Sequence, residues 1–186
     1  MFKQSFLLGV LITTIAVVAF APKVLRPIVV TKEKVVTIAS SFTKRNYVKE
    51  ASEIKSTLNK SKLKHLLIYI NALCVEYNVD YDLVKAVIAT ESSWKHKAKS
   101  SAGALGLMQV LPSTALGEFS THAEDLYDPY VNVTVGIMYL SGLQKIMDFN
   151  RDKVLTAYSH GPTVTKKYSM RYISNNDYVD TVLANL

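Results

Sequence analysis

Apolar residues recur at spacings of three and four along residues 63–77, and this repeat commits the chain to helical packing. Residues spaced in this way lie on one face of an α-helix. The face consists of Leu63, Leu66, Leu67, Ile70, Leu73, Cys74 and Tyr77. Because the chain's single cysteine falls on this face, we expect a buried structural thiol. A next helix is predicted over residues 81–93, with Asp80 or Asp82 as its cap.

The helical pattern continues to the end of the chain, and no useful strand-period alternation appears. Pro112 and Ser113 are expected to open a short helix, and Asp128 with Pro129 a longer one. Two more helices are predicted over 152–158 and 176–186. The inward residues of the long helix are expected to be Val131, Val135, Met138, Tyr139, Leu143 and Ile146. Since 49% of residues are hydrophobic, a packed core is expected, and the fold class predicted for residues 61–186 is all-α.

The N-terminus carries an apolar run from Phe6 to Ala21 with Lys3 in front of it. This layout is typical of a signal anchor or a signal peptide, which we assign to residues 1–21. The run is shorter than the ~20 residues that usually span a bilayer. Residues 19–21 have the spacing of a cleavage site, but Pro22 follows and fits poorly in an extended protease site. We therefore favour an uncleaved anchor, with a cleaved signal as the alternative.

Basic residues concentrate in residues 22–60, which account for most of the net charge of +7. We interpret this stretch as a solvated tether that can touch anionic lipid headgroups or an anionic wall. Nucleic acid is not expected as a partner, because the remaining chain is nearly neutral and the tether has few aromatic residues. The basic residues after the apolar run outnumber Lys3, which by the positive-inside rule favours a cytoplasmic C-terminal side.

Glu91 stands out because it lies on the apolar stripe of the predicted helix 81–93. It follows Val84, Val87 and Ile88 by seven, four and three residues, which places it among them and away from the polar face. A carboxylate there costs free energy unless it is protonated, hydrogen-bonded or at the floor of a cleft. Burial and the helix C-terminus both raise its pKa, as suits a general acid. The alternative is a helix-end glutamate turned to solvent.

The residues around and after Glu91 form a series of ordered motifs. They are Glu91-Ser92-Ser93-Trp94, Ala98, Ser100, Gly103-Ala104, Gly106-Leu107-Met108-Gln109, Pro112-Ser113-Thr114-Ala115, Asp125-Leu126-Tyr127-Asp128-Pro129, Asn132, Gly136, Tyr139-Leu140, Ala157-Tyr158-Ser159-His160-Gly161-Pro162, Tyr178-Val179 and Val182-Leu183. Together, over about residues 66–184, they resemble the lytic transglycosylases of the soluble lytic transglycosylase type, whose catalytic domain has a lysozyme-like fold. Ser159 and His160 replace the Asn-Ala usual in that family, and His96 stands where Pro is common.

The resemblance implies a substrate and a reaction. The substrate would be the glycan strands of peptidoglycan, cut at the MurNAc-β-1,4-GlcNAc bond with formation of 1,6-anhydro-MurNAc ends. Glu91 would be the catalytic acid and then the base, and neither a cofactor nor a metal is expected. One alternative is a hydrolytic muramidase, which would need a second carboxyl group; its candidates are Glu118, Glu124, Asp125 and Asp128. Another is a wall-binding or assembly protein that does not turn over substrate.

The resemblance also implies a set of substrate-binding residues. They are Ser100, Gly106, Leu107, Met108, Gln109, Tyr158, Ser159 and Tyr178. Ser100 would bond the sugar or orient Glu91, with a purely local loop contact as the alternative. Met108 would lie against a sugar ring, with core packing as the alternative. Tyr158 and Tyr178 would hold Glu91 or the N-acetyl group.

We expect a membrane-anchored protein whose catalytic domain lies in the periplasm or cell-wall compartment. Residues 6–21 would contact the membrane. Such domains serve secretion, conjugation or flagellar complexes, or phage penetration of the host wall. Because the charge pattern around the anchor conflicts with an external domain, a phage virion membrane stays open as an alternative location.

Overall fold

The computed structural model describes residues 45–186. This part of the chain is helical and contains no β-strand, only two isolated bridges that join Leu105 to Lys99 and to Val110. The helices are α1 (Tyr47–Glu53), α2 (Lys60–Tyr77), α3 (Tyr81–Ser92), α4 (Pro112–Phe119), a 3-10 helix (Ala123–Tyr127), α5 (Pro129–Ile146), α6 (Arg151–His160), α7 (Pro162–Thr165), α8 (Met170–Ser174) and α9 (Asp177–Ala184). The predicted all-α class is confirmed for the described residues.

Side-chain caps define where the central helices begin. The Asp80 carboxylate accepts a hydrogen bond from the Leu83 amide at 2.7 Å and starts α3. The Asp128 carboxylate does the same for α5, which has Pro at its first position. Asn78 closes α2 in the left-handed region, with φ of 54°. Of the two caps considered for α3, Asp80 is therefore the one used.

The core forms where α2 packs against α1, α3 and α5. The predicted apolar face of α2 is buried, with Leu63, Leu66, Leu67 and Ile70 fully excluded from solvent. Cys74 lies on the same face, 3% exposed, and burial raises the pKa of its thiol far above the ordinary value. The thiol is thus kept protonated inside the core, as the sequence predicts.

Helix α1 lies within residues 22–60, the stretch expected to be tether, but it packs on the folded domain. Tyr47 and Ala51, one helical turn apart, are 7% and 2% exposed and join the core. The folded part therefore begins before residue 61. Because charged residues surround this short apolar pair, the composition of the stretch did not predict a helix that joins the core.

Two further details differ from the predicted helices. Ile146, expected to point inward, is 46% exposed because α5 ends there, and Met147 fills the inward position at 3%. The short helices α7 and α8 were not predicted.

The expected anchor, residues 1–21, lies outside the described residues, as does the tether up to residue 44. Among residues 45–186, no helix combines the length and the apolar character needed to cross a membrane.

Candidate active site

Glu91 lies in the last turn of α3, half-buried, on the side of the helix that the sequence predicts. Val84, Val87 and Ile88 on the same stripe are fully buried. The Tyr178 hydroxyl donates a hydrogen bond to Glu91 Oε1 at 2.6 Å. Burial raises the pKa of the Glu91 carboxyl, and the hydrogen bond from Tyr178, which favours the charged form, offsets only part of that rise.

Helix α9 brings Tyr178 to the acid and is tied to α3 at a second point. The Asn176 side chain caps α9 by accepting from the Tyr178 amide at 2.9 Å. At the other end, Asn185 Nδ2 donates to the Thr90 hydroxyl at 3.1 Å. Val179 and Val182 pack into the core between these points. The hydroxyl of Tyr178 therefore comes from a helix that is fixed against the helix carrying Glu91.

A compact loop over residues 98–110 follows α3. Leu105 and Val110 exchange two backbone hydrogen bonds, each 3.0 Å. Gly106 has a φ of 78°, which favours glycine, and its amide donates to the Ala98 carbonyl at 2.9 Å. Gln109 Nε2 donates to the Gly106 carbonyl at 2.8 Å. Within residues 45–186, Gln109 Oε1 makes no hydrogen bond, so it is available as an acceptor.

The side chain of Asn132 on α5 holds this loop through hydrogen bonds. The residue is fully buried. Its Oδ1 accepts from the Met108 amide at 2.8 Å, and its Nδ2 donates to the carbonyls of Leu105 and Leu126 at 2.8 and 2.9 Å. Sequence reasoning noted Asn132 within a motif but gave it no role. The sequence feature that could have indicated a role is that Asn132 is a polar residue on the inward face of a predicted helix.

The side chain of Met108 forms the contact between the loop and α5. Its side chain is fully buried and packs on Gly136, where a Cβ would run into it. This placement corresponds to the core-packing alternative for Met108, and its contact with a sugar ring stays a prediction. Leu107 is fully buried as well.

Tyr158 joins the loop to the surroundings of Glu91. Its hydroxyl donates to the Met108 carbonyl at 2.7 Å, and its ring lies 5.7 Å from that of Tyr139. Burial raises the pKa of the Tyr158 hydroxyl, and the negative charge of Glu91 adds to that rise. Tyr158 therefore faces the acid without donating to it.

The other predicted residues lie around this centre with different contacts. Ser100 Oγ accepts from the Ala104 amide at 3.0 Å, which is the local loop contact considered as an alternative. Ser159 is exposed, and its hydroxyl lies 2.6 Å from His160 Nδ1. Asp128 serves as a helix cap. Glu118 is exposed and belongs to α4.

Fold and site together define a class of protein. Within residues 45–186 the domain is all-helical, and it carries one half-buried carboxyl group, with a raised pKa, at the end of a core helix. The same residues hold no group of three or more His, Cys, Asp or Glu side chains suited to a metal ion. This is a lysozyme-like arrangement built on one protonatable acid.

The comparison with known families identifies the class more closely. The family model described as Transglycosylase SLT domain matches residues 68–179, and the chain belongs to this family.

Similar proteins include membrane-bound lytic murein transglycosylase E of Buchnera aphidicola subsp. Acyrthosiphon pisum, 33% identical over 138 residues. That alignment covers 67% of this chain and 60% of the Buchnera protein. A transglycosylase of Enterobacteria phage PRD1 is 38% identical over 114 residues, which are 57% of this chain and 41% of the phage protein.

Solved structures show the same fold. The 70 kDa soluble lytic transglycosylase of Escherichia coli superposes with a TM-score of 0.53 at 24% identity, over 82% of this chain and 29% of that one. An inactive mutant of lytic transglycosylase Slt from Pseudomonas aeruginosa gives a TM-score of 0.57 at 21% identity, with the same two coverages of 82% and 29%. The predicted lysozyme-like fold is confirmed for the described domain.

Proposed function

We propose that this chain is a peptidoglycan lytic transglycosylase with Glu91 as its catalytic acid and base. The observation that carries the proposal is the half-buried Glu91 carboxyl, which has a raised pKa and accepts a hydrogen bond from Tyr178. A carboxyl group with a raised pKa keeps its proton to higher pH and can give that proton to a leaving oxygen. Membership of the transglycosylase family supplies the substrate class.

The reaction we propose uses the one carboxyl group twice. Glu91 first protonates the glycosidic oxygen between MurNAc and GlcNAc, and the bond from that oxygen to C1 of MurNAc breaks. The Glu91 carboxylate then takes the proton of the C6 hydroxyl of the same MurNAc, whose oxygen attacks C1 and closes a 1,6-anhydro ring. The N-acetyl group of the substrate assists in place of a second carboxylate. No water is consumed, and Glu91 ends protonated as it began.

Residues around Glu91 have supporting roles in this proposal. Tyr178 stabilises the carboxylate between the two steps, because a donor favours the charged form. Gln109 Oε1 and the exposed Ser159 hydroxyl are offered to sugar or N-acetyl groups. Gly106 contributes backbone geometry. Ser100, Leu107, Met108 and Tyr158 would act through the shape of the loop; the Ser100 and Tyr158 hydrogen bonds and the burial of Leu107 and Met108 support this role.

The test is a digest of purified peptidoglycan by the full chain, wild type beside Glu91→Gln, with products identified by mass. The substitution keeps the shape and removes the proton. We expect anhydromuropeptides from wild type and a loss of about 10²–10⁴-fold in the variant. Glu53→Gln is the matched control, since Glu53 is exposed on α1 and its carboxylate pairs with Lys49 at 3.9 Å.

Other outcomes would identify the alternatives. Products heavier by one water would make the protein a muramidase and call for a second carboxyl group among Glu118, Glu124 and Asp125. A folded wild-type chain that binds peptidoglycan and yields no products would make it a wall-binding or assembly protein.

We also propose a location and a domain organisation. Residues 1–21 would anchor the chain in a membrane and residues 22–44 would link the anchor to the domain, which would act in the periplasm or wall compartment. The apolar run 6–21 supports this, and several similar proteins are named membrane-bound. Alkaline extraction of membranes tests it: the full chain is expected to stay with the lipid, and a chain without residues 1–21 to be released. Release of both chains from the lipid would contradict the proposal that residues 1–21 are a membrane anchor.

A further inference from the structure

The chain takes a strained path directly after Glu91. Helix α3 ends at Ser92, and the next two residues, Ser93 and Trp94, both have positive φ, 49° and 62°. Such values are uncommon for residues with a side chain and are unusual for one as bulky as Trp. Backbone of this kind persists only where the surroundings hold it. The turn begins two residues from Glu91, so whatever holds it also helps to place the carboxyl group.

Residues 45–57, which we call the strap, contact α3 at its N-terminal end, opposite to the end that carries Glu91. Arg45 forms two hydrogen bonds with the Asp82 carboxylate, at 3.1 and 3.0 Å. The Glu50 carboxylate accepts from the Tyr81 hydroxyl at 2.9 Å and from Lys85 at 3.2 Å. These contacts fix the strap to the first turns of α3, where paired and bidentate charges give a defined geometry.

The other end of the strap reaches the strained turn. The Trp94 carbonyl accepts a hydrogen bond from the Ser56 hydroxyl at 3.0 Å and from the Thr57 amide at 3.4 Å. The Thr57 hydroxyl lies 2.7 Å from His96 Nδ1 and accepts from the His96 amide at 3.1 Å. These contacts tie Ser56 and Thr57, two adjacent residues of the strap, to Trp94 in the turn after Glu91 and to His96 just beyond it.

We propose that the strap positions Glu91, with Ser56 and Thr57 as positioning residues that hold the Ser93–Trp94 turn. The inference rests on the proposed function of Glu91. The strap precedes residues 68–179, the part matched by the family model. It spans α3 from the cap to the turn, so it sets where the last turn of the helix stops relative to α9 and Tyr178.

The core and the strap have separable effects on α3. Val84, Val87 and Ile88 bury the middle of the helix, and Glu91 lies beyond them. Loss of a strap contact therefore loosens the last turn while the body of the helix stays packed. A looser turn admits water to the carboxyl group, and burial is the main reason for its raised pKa. The titratable side chains that face Glu91 are Tyr178 and Tyr158.

The experiment uses the full chain with Thr57→Val, which keeps the side-chain shape and removes the hydroxyl. We expect kcat on peptidoglycan to fall about tenfold with KM within about twofold of wild type, because a small misplacement of the reacting group slows chemistry more than binding. Thr57→Ser is expected to restore kcat. Ser52→Ala is the matched control, since the Ser52 hydroxyl bonds only the Lys49 carbonyl within the strap.

A second readout separates this inference from the proposed function. The titration of the Glu91 carboxyl, followed by NMR without substrate, is expected to shift to lower pH in Thr57→Val and not in Ser52→Ala. Wild type without activity would defeat the proposed function, while this shift would still support the strap. An unchanged titration and an unchanged kcat would overturn the strap. If Thr57→Val does not fold, Arg45→Gln, which removes the strap's paired bonds to the Asp82 carboxylate, is judged by the same two readouts.

Discussion

The loop over residues 98–110 and the segment over residues 159–176 both lie next to the proposed site, yet they are held in different ways. Two hydrogen bonds of the buried Asn132 side chain, with the Met108 amide and the Leu105 carbonyl, and one from the Tyr158 hydroxyl fix the loop to the rest of the domain. The segment contains the short helices α7 and α8, and much of its apolar surface is exposed: Val164 by 43%, Met170 by 51% and Tyr172 by 44%.

The difference bears on where the sequence can change. A loop supported by a buried amide tolerates little, because each lost hydrogen bond leaves a buried polar group unpaired. A segment supported by local bonds and a few buried side chains, such as Thr165 and Ile173, tolerates more. One of the two departures from the family's motifs, Ser159 and His160, falls at the start of the tolerant segment.

The largest expected effect comes from the buried amide. Asn132→Ala leaves the Met108 amide and the Leu126 carbonyl without partners, while the Leu105 carbonyl keeps its bond from the Val110 amide, so we expect the free energy of unfolding to fall by about 2–6 kcal/mol. Asn176→Ala is the matched variant in the other region, where a single capping bond is lost at a cost of about 1 kcal/mol. Urea unfolding measures both. Equal losses would contradict the contrast between loop and segment.

A pair of glycines sharpens the same contrast. Gly106 and Gly161 both have positive φ, 78° and 84°, but a Cβ at Gly106 would run into Asn132 while a Cβ at Gly161 would meet open space. We expect Gly161→Ala to cost about 1–3 kcal/mol of strain, and Gly106→Ala to cost about 1–3 kcal/mol more from overpacking. Thermal unfolding of the two variants side by side checks the order, which the reverse ranking would refute.

The two tyrosines distinguish support of the loop from support of the acid. Tyr178→Phe removes the donor that favours ionised Glu91, so the pKa of the carboxyl rises further. A general acid is lost as pH rises through its pKa, so the alkaline limb of the kcat profile is expected to move to higher pH. Tyr158→Phe, which removes the bond to Met108, is expected to leave that limb in place. A downward shift for Tyr178→Phe would contradict this assignment.

The smallest effect is expected at His160. Its exposed ring packs edge-on against Tyr168 and Tyr172, with centroids 5.8 and 6.3 Å away. Because these contacts lie at the surface, His160→Ala is expected to lower the melting temperature by less than about 2 °C. A scanning fluorimetry shift comparable with that of Asn132→Ala would show that the segment is as firmly held as the loop.

The sequence predicted α3 and the setting of Glu91 well. The helix was expected over 81–93 and is found over Tyr81–Ser92. Its stripe placed Glu91 among buried residues, and the carboxyl is half-buried with a raised pKa. Helical periodicity is a local property, so it can be recognised in a segment without knowledge of the rest of the chain. The role of Glu91 in catalysis stays a prediction.

Contacts between distant residues could not be predicted in the same way. Arg45 and Asp82 are 37 positions apart, and their pairing is part of what draws α1 onto the domain. Asn132 reaches Met108 24 positions away. Periodicity says which face of a helix is inward but not which loop covers it. The sequence therefore left Met108 open between a sugar contact and core packing, because the contact of its side chain with Gly136 depends on the tertiary fold.

The buried Cys74 has a practical consequence for spectroscopy. It is the chain's single cysteine, and its thiol is shielded within α2 and kept protonated. Maleimide and spin-label reagents attack the exposed thiolate, so the native protein is silent to them. A cysteine introduced at an exposed position such as Ser159 would carry the single label at one of the proposed substrate-binding residues. The native chain, which these reagents do not label, then serves as the control.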